Sequence, residues 1–192
     1  MERDLDKSRF LITGLPRCRT TWLTVVFNCV GVDTRHERDL YFDSMDQLRD
    51  WLDQGTEQNP HGLVDGFATI AYPTFALEVF KGHPIMFINR PVSEVMESWN
   101  RWLGFETPQG VIENAINNYY KFIDAMPKDA LVINYSDLDN YDTLSHITEF
   151  CTNKKLNKSL FHFLNHTKIE LHASKCAEFT KRNPKEYLQH PE

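Results

Sequence analysis

The segment Phe10–Trp22, FLITGLPRCRTTW, constrains the fold more than any other part of the chain. A short apolar run ends in a Gly/Pro turn, and a stretch of basic and hydroxyl residues then leads into helical periodicity. This order predicts a strand, a tight loop and a helix N-terminus, where backbone N–H groups lack intrahelical partners. Because Arg17, Arg19, Thr20 and Thr21 stand beside those groups, the loop is suited to binding a phosphate or sulfate.

The loop differs from the usual ATP-binding pattern G-x-x-x-x-G-K-[ST]. The chain has neither the second glycine nor the lysine of that pattern. Ordinary ATP use is therefore disfavoured, whereas anion binding is not. The alternative is a plain strand–turn–helix unit that carries surface arginines.

Composition and charge limit the classes of protein to be considered. The 192 residues, 41% of them hydrophobic, predict a single globular domain over residues 1–166, followed by a partly ordered tail at 167–192. A net charge of −6 without a dominant basic run argues against a nucleic-acid partner. The charged N-terminus and the lack of a long apolar run predict no leader and no membrane association. Four cysteines without C-x-x-C spacing indicate reduced thiols, as in a cytoplasmic protein.

Strand and helix patterns alternate along the chain. The predicted strands are Arg9–Thr13, Val32–His36, Gly62–Phe67, His83–Asn89 and Ala130–Asn134. The predicted helices are Thr20–Val30, Met45–Gln54, Thr74–Lys81, Pro91–Leu103, Thr107–Met126, Thr143–Thr152 and Lys158–His166. Alternation of this kind predicts an α/β fold of three layers, with a central parallel sheet of about five strands flanked by helices. Ligands of such sheets bind outside the carboxyl ends of the strands.

A second candidate anion site follows the strand that ends at Asn89. Arg90 comes directly after this strand, and Ser98 lies about two turns along the next helix. A guanidinium and a hydroxyl from adjoining elements can hold an anion together, with arginine supplying forked hydrogen bonds. In the alternative interpretation, Arg90 pairs with a carboxylate such as Asp65, and Ser98 has no role.

Three short motifs together resemble those of the sulfotransferases. The loop PRCRTTW resembles the family's 5′-phosphosulfate loop P-K-S-G-T-T-W, and Arg90-Pro91 with Ser98 resembles its 3′-phosphate motif R-x-P-x-x-x-x-x-S. Tyr135-Ser-Asp137-Leu138 is similar to the family's Y-E-D-L turn. The motifs occur in the family's order, and the resemblance covers roughly residues 9–163. Their combination is much more specific than any one of them.

The resemblance implies a P-loop-like fold and the co-substrate 3′-phosphoadenosine 5′-phosphosulfate (PAPS), with no metal required. By position, Arg17 replaces the lysine that contacts the phosphosulfate, Thr20 and Thr21 bind the 5′-phosphate, and Trp22 flanks the adenine. Arg90 and Ser98 hold the 3′-phosphate. The loop residues implied to contact the co-substrate are Pro16, Arg17, Cys18, Arg19, Thr20, Thr21 and Trp22.

The loop departs from the family pattern at three positions. Arg17 replaces lysine, Cys18 replaces serine, and Arg19 replaces glycine, which places a bulky charge where the loop is normally slim. Arg17 can stabilise the sulfuryl oxygens but cannot donate its proton as a lysine can. Some small sulfotransferase-like proteins have a related loop, G-L-P-R-S-R-T-T-W, which this chain resembles more closely than it does the steroid and phenol enzymes.

The predicted catalytic base lies at the end of the second strand. Sulfuryl transfer to an alcohol needs a group that accepts the hydroxyl proton. We predict His36 as the base and Glu37 as its orienting group or as the alternative base, with Asp65 next. A solvated turn is the non-catalytic alternative. His162 and His166, with His172 beyond, have a spacing that could hold a metal, but exposed helix histidines are commoner and no metal is expected.

Three functions follow from these patterns. The first is a sulfotransferase that moves a sulfuryl group from PAPS to a hydroxyl or amine acceptor. The second is a nucleotide-binding module of the same fold without catalysis, which Arg19 and the short chain favour. The third is a nucleotide or small-molecule kinase, which the missing G-K-[ST] disfavours. Because the chain is short for the family, the acceptor cavity is either open or completed by a partner chain, as in a homo-oligomer.

Overall fold

The computed structural model describes residues 5–37, 42–66, 73–104, 106 and 108–166. The predicted tail at 167–192 lies outside this range, as do Phe67, Thr107 and His172. Within the described residues, the chain alternates between strands and helices as the sequence predicts. Among the helices that are described, none is long and apolar enough to cross a membrane.

Five strands form one parallel sheet flanked by helices. The strands are β1 Arg9–Gly14, β2 Asp33–His36, β3 His61–Asp65, β4 Ile85–Asn89 and β5 Leu131–Asn134. The helices are α1 Thr20–Cys29, α2 Met45–Leu52, α3 Pro73–Val79, α4 Val92–Leu103, α5 Gln109–Ala125, α6 Tyr141–Cys151 and α7 Lys158–His166. A 3₁₀ helix at Tyr135–Asp139 joins β5 to α6. The predicted fold class, an α/β fold with a central five-stranded parallel sheet, is confirmed.

The strand order is β2-β3-β1-β4-β5, which puts β1 at the centre. The residues Phe10, Leu11 and Ile12 of β1 are fully buried because helices cover both faces of a parallel sheet. The loop after β1 is flanked on one side by the carboxyl end of β3 and on the other by that of β4. This order brings together the segments that carry the predicted site residues.

Local sequence signals explain where several helices begin. The Ser44 hydroxyl accepts a hydrogen bond from the Gln47 backbone N–H at 3.2 Å and so caps the N-terminus of α2. The predicted helix Pro91–Leu103 begins one residue later in the structure. Pro91 has an extended ψ of 131° and therefore stands directly before α4 instead of in its first turn. The 3₁₀ helix after β5 was not predicted as a helix.

Candidate functional site

The loop between β1 and α1 turns through two left-handed residues. Arg17 has a φ of 68° and Arg19 a φ of 62°. This conformation costs a non-glycine residue about 1–2 kcal/mol, so surrounding contacts must stabilise it. Arg19 stands where the sulfotransferase loop has glycine, and it adopts a conformation that glycine favours. The loop therefore carries a bulky, charged side chain at a left-handed position.

The Arg19 side chain is held by two neighbours. Its Nη1 atom lies 2.5 Å from Oδ1 of Asp139 in the 3₁₀ helix, and its guanidinium carbon lies 4.3 Å from the ring centroid of Trp22. Trp22 itself is only 6% exposed and donates its indole N–H to the Leu164 carbonyl at 3.2 Å. Trp22 is thus part of the core, and Arg19 covers its ring. These contacts offset the backbone strain at Arg19.

Small residues let the neighbouring strands approach the loop closely. A Cβ on Gly14 would lie 2.9 Å from the Ile88 carbonyl oxygen, and one on Gly66 would lie 3.4 Å from the Pro16 Cα.

Cys18 is fully buried, and burial raises the pKa of its thiol to about 12. The Cys18 side chain is therefore a packing group and not a nucleophile.

Helix α1 begins at Thr20 without a side-chain cap and without an acidic residue in its first turn. In contrast, Ser44 and Asn140 cap α2 and α6. The first backbone N–H groups of α1 have no intrahelical acceptors. Together with the positive end of the helix dipole, they favour an anion in front of the loop.

Arg17, Arg90 and Ser98 lie next to one another at the carboxyl ends of β1 and β4. The Nε atom of Arg17 donates to the Ser98 hydroxyl at 3.4 Å, and Nη1 of Arg90 donates to the Arg17 carbonyl at 2.5 Å. The Arg17 guanidinium also lies 5.4 Å from the ring centroid of Trp102. Arg17 and Arg90, which are 73 residues apart in sequence, thus lie side by side in the structure.

Arg90 does not pair with Asp65, the partner that the alternative interpretation suggested. Its Nε atom lies 3.4 Å from Glu94 Oε2, one turn along α4, and its guanidinium carbon lies 4.0 Å from the ring centroid of Tyr135. These contacts hold a side chain that is 13% exposed. Nε contacts Glu94 and Nη1 donates to the Arg17 carbonyl, so Nη2 is left to contact other groups.

His36 contacts the loop from two strands away. Its Nε2 atom lies 3.0 Å from Thr20 Oγ1 and 3.3 Å from Thr21 Oγ1. The side chain is almost fully buried, and this desolvation lowers its pKa to about 4. His36 is therefore neutral at pH 7, and its Nε2 atom is already engaged by the loop hydroxyls.

Glu37 differs from His36 in both exposure and pKa. Its side chain is 40% exposed, and its Oε1 atom lies 3.8 Å from His36 Nε2. Partial desolvation, followed by the nearby carboxylate of Asp65, raises the pKa of Glu37 to about 7. A left-handed φ of 61° turns the chain at this point, and the Glu37 backbone N–H donates to Val64 at 2.9 Å. A carboxyl with a pKa near 7 is suited to accept a proton at neutral pH.

Several contacts in this region were not predicted. Glu94, Trp102, Tyr135 and Asp139 hold the three arginines in place. Glu94 has a local sequence signal for its contact, since it follows Arg90 by four residues on a predicted helix. Among the described residues, no group of three or more His, Cys, Asp and Glu side chains could hold a metal ion.

Comparisons with known proteins identify the fold. No family model matches the sequence, and no curated protein matches it. Among solved structures, the fold is similar to the "Sulfotransferase Domain from the Curacin Biosynthetic Pathway", with a TM-score of 0.57, 17% identity, and coverage of 91% of this chain and 86% of that one. A gluconokinase from Sinorhizobium meliloti 1021 aligns with a TM-score of 0.46, 9% identity, and 95% and 97% coverage. The first similarity shows a P-loop-like α/β fold, as the sequence predicts.

Proposed function

We propose that this protein is a sulfotransferase that transfers a sulfuryl group from PAPS to a hydroxyl or amine acceptor. The observation that carries the proposal is the contact of Arg17 with Ser98 and of Arg90 with the Arg17 carbonyl. Two separate motifs, each typical of one phosphate site, meet at one edge of the sheet. The fold shared with a sulfotransferase domain supports the same conclusion.

Each part of the site has a role in this proposal. The α1 N-terminus, Thr20 and Thr21 bind the 5′-phosphate, and Arg90 and Ser98 bind the 3′-phosphate. Arg17 lies between them and stabilises the charge on the sulfuryl oxygens and the bridging oxygen. The acceptor oxygen or nitrogen bonds to sulfur while the bond from sulfur to the bridging oxygen breaks, which releases 3′,5′-adenosine diphosphate.

The base in this proposal is Glu37, the second choice of the sequence analysis. A base must reach the acceptor, and the partly exposed Glu37 carboxyl can do so whereas the buried imidazole of His36 cannot. The raised pKa of Glu37, about 7, also matches the task better than the lowered pKa of His36, about 4. Glu37 accepts the acceptor proton, and His36 has a different role.

A nucleotide-binding module without catalysis is the second candidate. The specific observation in its favour is the burial of His36, the residue that the sequence pattern marks first as a base. Under this alternative, the nucleotide binds as proposed but no acceptor is sulfated.

The first prediction concerns nucleotide selectivity. We expect 3′,5′-adenosine diphosphate to bind about 10- to 100-fold more tightly than 5′-AMP, because one charge-assisted contact to the 3′-phosphate contributes about 1.5–3 kcal/mol. Isothermal titration calorimetry with both nucleotides and with ATP–magnesium tests this. Equal affinities would argue against the PAPS assignment, and a preference for ATP–magnesium would favour a kinase. Tight binding without turnover across phenols, alcohols and amines would favour the binding module.

The second prediction separates the two phosphate sites. Ser98→Ala and Arg90→Ala should remove most of the preference for 3′,5′-adenosine diphosphate and leave 5′-AMP affinity nearly unchanged. The exposed Ser93 of the same helix supplies the control variant Ser93→Ala, which should bind both nucleotides like the wild type. Calorimetry on the three variants measures this. If Arg90→Ala weakens both nucleotides equally, Arg90 acts by holding the Arg17 carbonyl and not by binding the 3′-phosphate.

A further inference from the structure

The contact between His36 and the two loop threonines has no role in proton transfer as proposed above. His36 is the last residue of β2, yet its Nε2 atom lies within 3.0 Å of Thr20 Oγ1 and 3.3 Å of Thr21 Oγ1. The side chain is 4% exposed, and its Nδ1 atom is buried without a hydrogen-bond partner in the part of the chain that is described. A buried imidazole with one engaged and one unengaged nitrogen requires an explanation.

The position of the ring hydrogen decides what the threonine hydroxyls can do. Neutral histidine carries one N–H, on either nitrogen. If the hydrogen is on Nδ1, it is a buried donor without an acceptor, and Nε2 must take the hydrogen of one threonine hydroxyl. If it is on Nε2, it donates to the threonine oxygens, and both hydroxyl hydrogens stay free. The Glu37 carboxylate oxygen, 3.8 Å from Nε2, also favours a hydrogen on that nitrogen.

We infer that His36 is a positioning residue whose Nε2–H donates to Thr20 and Thr21 and so directs both hydroxyl hydrogens toward the anion in front of the loop. The inference rests on the proposed function for the identity of that anion, the 5′-phosphate of a nucleotide. It assigns His36 to phosphate recognition and leaves the acceptor proton to Glu37.

This arrangement is well matched to an anion. A threonine oxygen that accepts from Nε2–H becomes a better donor, because hydrogen bonds in a chain polarise one another. Burial keeps the imidazole neutral and in one place, so the hydroxyls are oriented before the nucleotide arrives. Two hydrogen bonds to a charged phosphate then form without a rearrangement of the loop.

The first test measures the ring hydrogen directly and needs no nucleotide. In the wild-type protein at pH 8, long-range ¹H–¹⁵N correlation spectra distinguish the two neutral forms of each histidine, and the His36→Gln spectrum identifies the signals of His36. We expect the hydrogen on Nε2. A hydrogen on Nδ1 would overturn the inference whether or not the protein is a sulfotransferase.

The second test measures coupling between His36 and Thr20 through the affinity for 5′-AMP. His36→Leu and Thr20→Val should each weaken binding about 10- to 100-fold, which is the range for a hydrogen bond to a charged group. The double variant should bind 5′-AMP hardly more weakly than either single variant does, because the two substitutions remove the same interaction. His36→Gln, which can donate from its side-chain amide, should recover part of the affinity. Adenosine, which lacks the phosphate, should bind all variants alike.

A control variant separates this role from a loss of stability. His61 is a partly buried histidine at the opposite end of β3, where its ring stacks on Trp51. His61→Leu should lower the melting temperature without changing 5′-AMP affinity. Additive effects of His36→Leu and Thr20→Val would overturn the inference, as would full 5′-AMP affinity with loss of turnover in His36→Leu, which would restore His36 as the base.

Discussion

Replacing Arg17 with alanine is expected to reduce sulfuryl transfer by about 10²- to 10³-fold, the range for removing one donor aimed at charge that develops in the transition state. Arg17 is exposed, it belongs to the loop that precedes α1, and its Nε atom contacts Ser98 of the proposed 3′-phosphate site. The variant should also weaken binding of both 5′-AMP and 3′,5′-adenosine diphosphate. Turnover with labelled PAPS and calorimetry measure these two effects.

Two variants control the Arg17 experiment. Arg17→Lys restores the residue that the sulfotransferase loop carries, and it should retain much of the activity because lysine also supplies a positive charge. Arg101→Ala removes an exposed arginine that pairs with Glu97 on the outside of α4, and it should behave like the wild type. Turnover that survives in Arg17→Ala would show that another group stabilises the sulfuryl oxygens.

The sheet and the anion loop were predictable because local patterns determine them. The strand at Ile85–Asn89 is apolar throughout, as a parallel strand covered on both faces requires. The loop begins at the Gly/Pro turn after β1 and ends at the threonines that begin α1, and both signals are visible in the sequence. Parallel strands place their carboxyl ends at one edge, so the sequence put Arg17 and Arg90 at the same edge. Their direct contact depends on β1 and β4 being neighbours in the sheet, which the structure shows.

The conformation of the loop was not predictable to the same degree. The sequence indicates that Arg19 is too bulky for a glycine position, but its left-handed φ depends on Asp139 and Trp22. Asp139 follows β5, 120 residues further along the chain. A single sequence does not show which distant carboxylate reaches a given arginine, because that depends on how the 3₁₀ helix packs.

The choice between His36 and Glu37 as the base depends on burial, which the sequence shows only indirectly. From their position at the end of the second strand, His36 was predicted as the base and Glu37 as its orienting group or as the alternative base. Val32, Thr34 and His36 are all buried, as residues two apart on one face of a strand can be. This alternation was a signal that His36 points inward, and burial is what lowers its pKa to about 4.

The pH dependence of folding gives an independent check on Glu37. Its pKa is raised in the folded protein to about 7 from an ordinary value of 4.5, so the folded state binds a proton more tightly than the unfolded state does. The resulting contribution to stability is fully present below pH 4.5 and is lost as the pH rises through about 7. Glu37→Gln should therefore gain stability relative to the wild type between pH 4.5 and pH 8, which urea unfolding at each pH measures.

Replacing Glu37 with glutamine is expected to reduce turnover by about 10²-fold or more, the usual scale for removing a general base, with little change in nucleotide affinity. Because the base must be deprotonated, kcat/KM of the wild type should rise with pH and level off above about 7. Glu37→Gln should lose this inflection. Turnover assays with labelled PAPS from pH 5 to pH 9 measure both effects.

The neighbour Asp65 provides a second variant for the same experiment. Its carboxylate is the second cause of the raised pKa of Glu37, after desolvation. Asp65→Asn removes that negative charge and should move the inflection of the kcat/KM profile to lower pH while turnover persists. An inflection that stays at the same pH in Asp65→Asn, or one that persists in Glu37→Gln, would assign the titrating base to another residue.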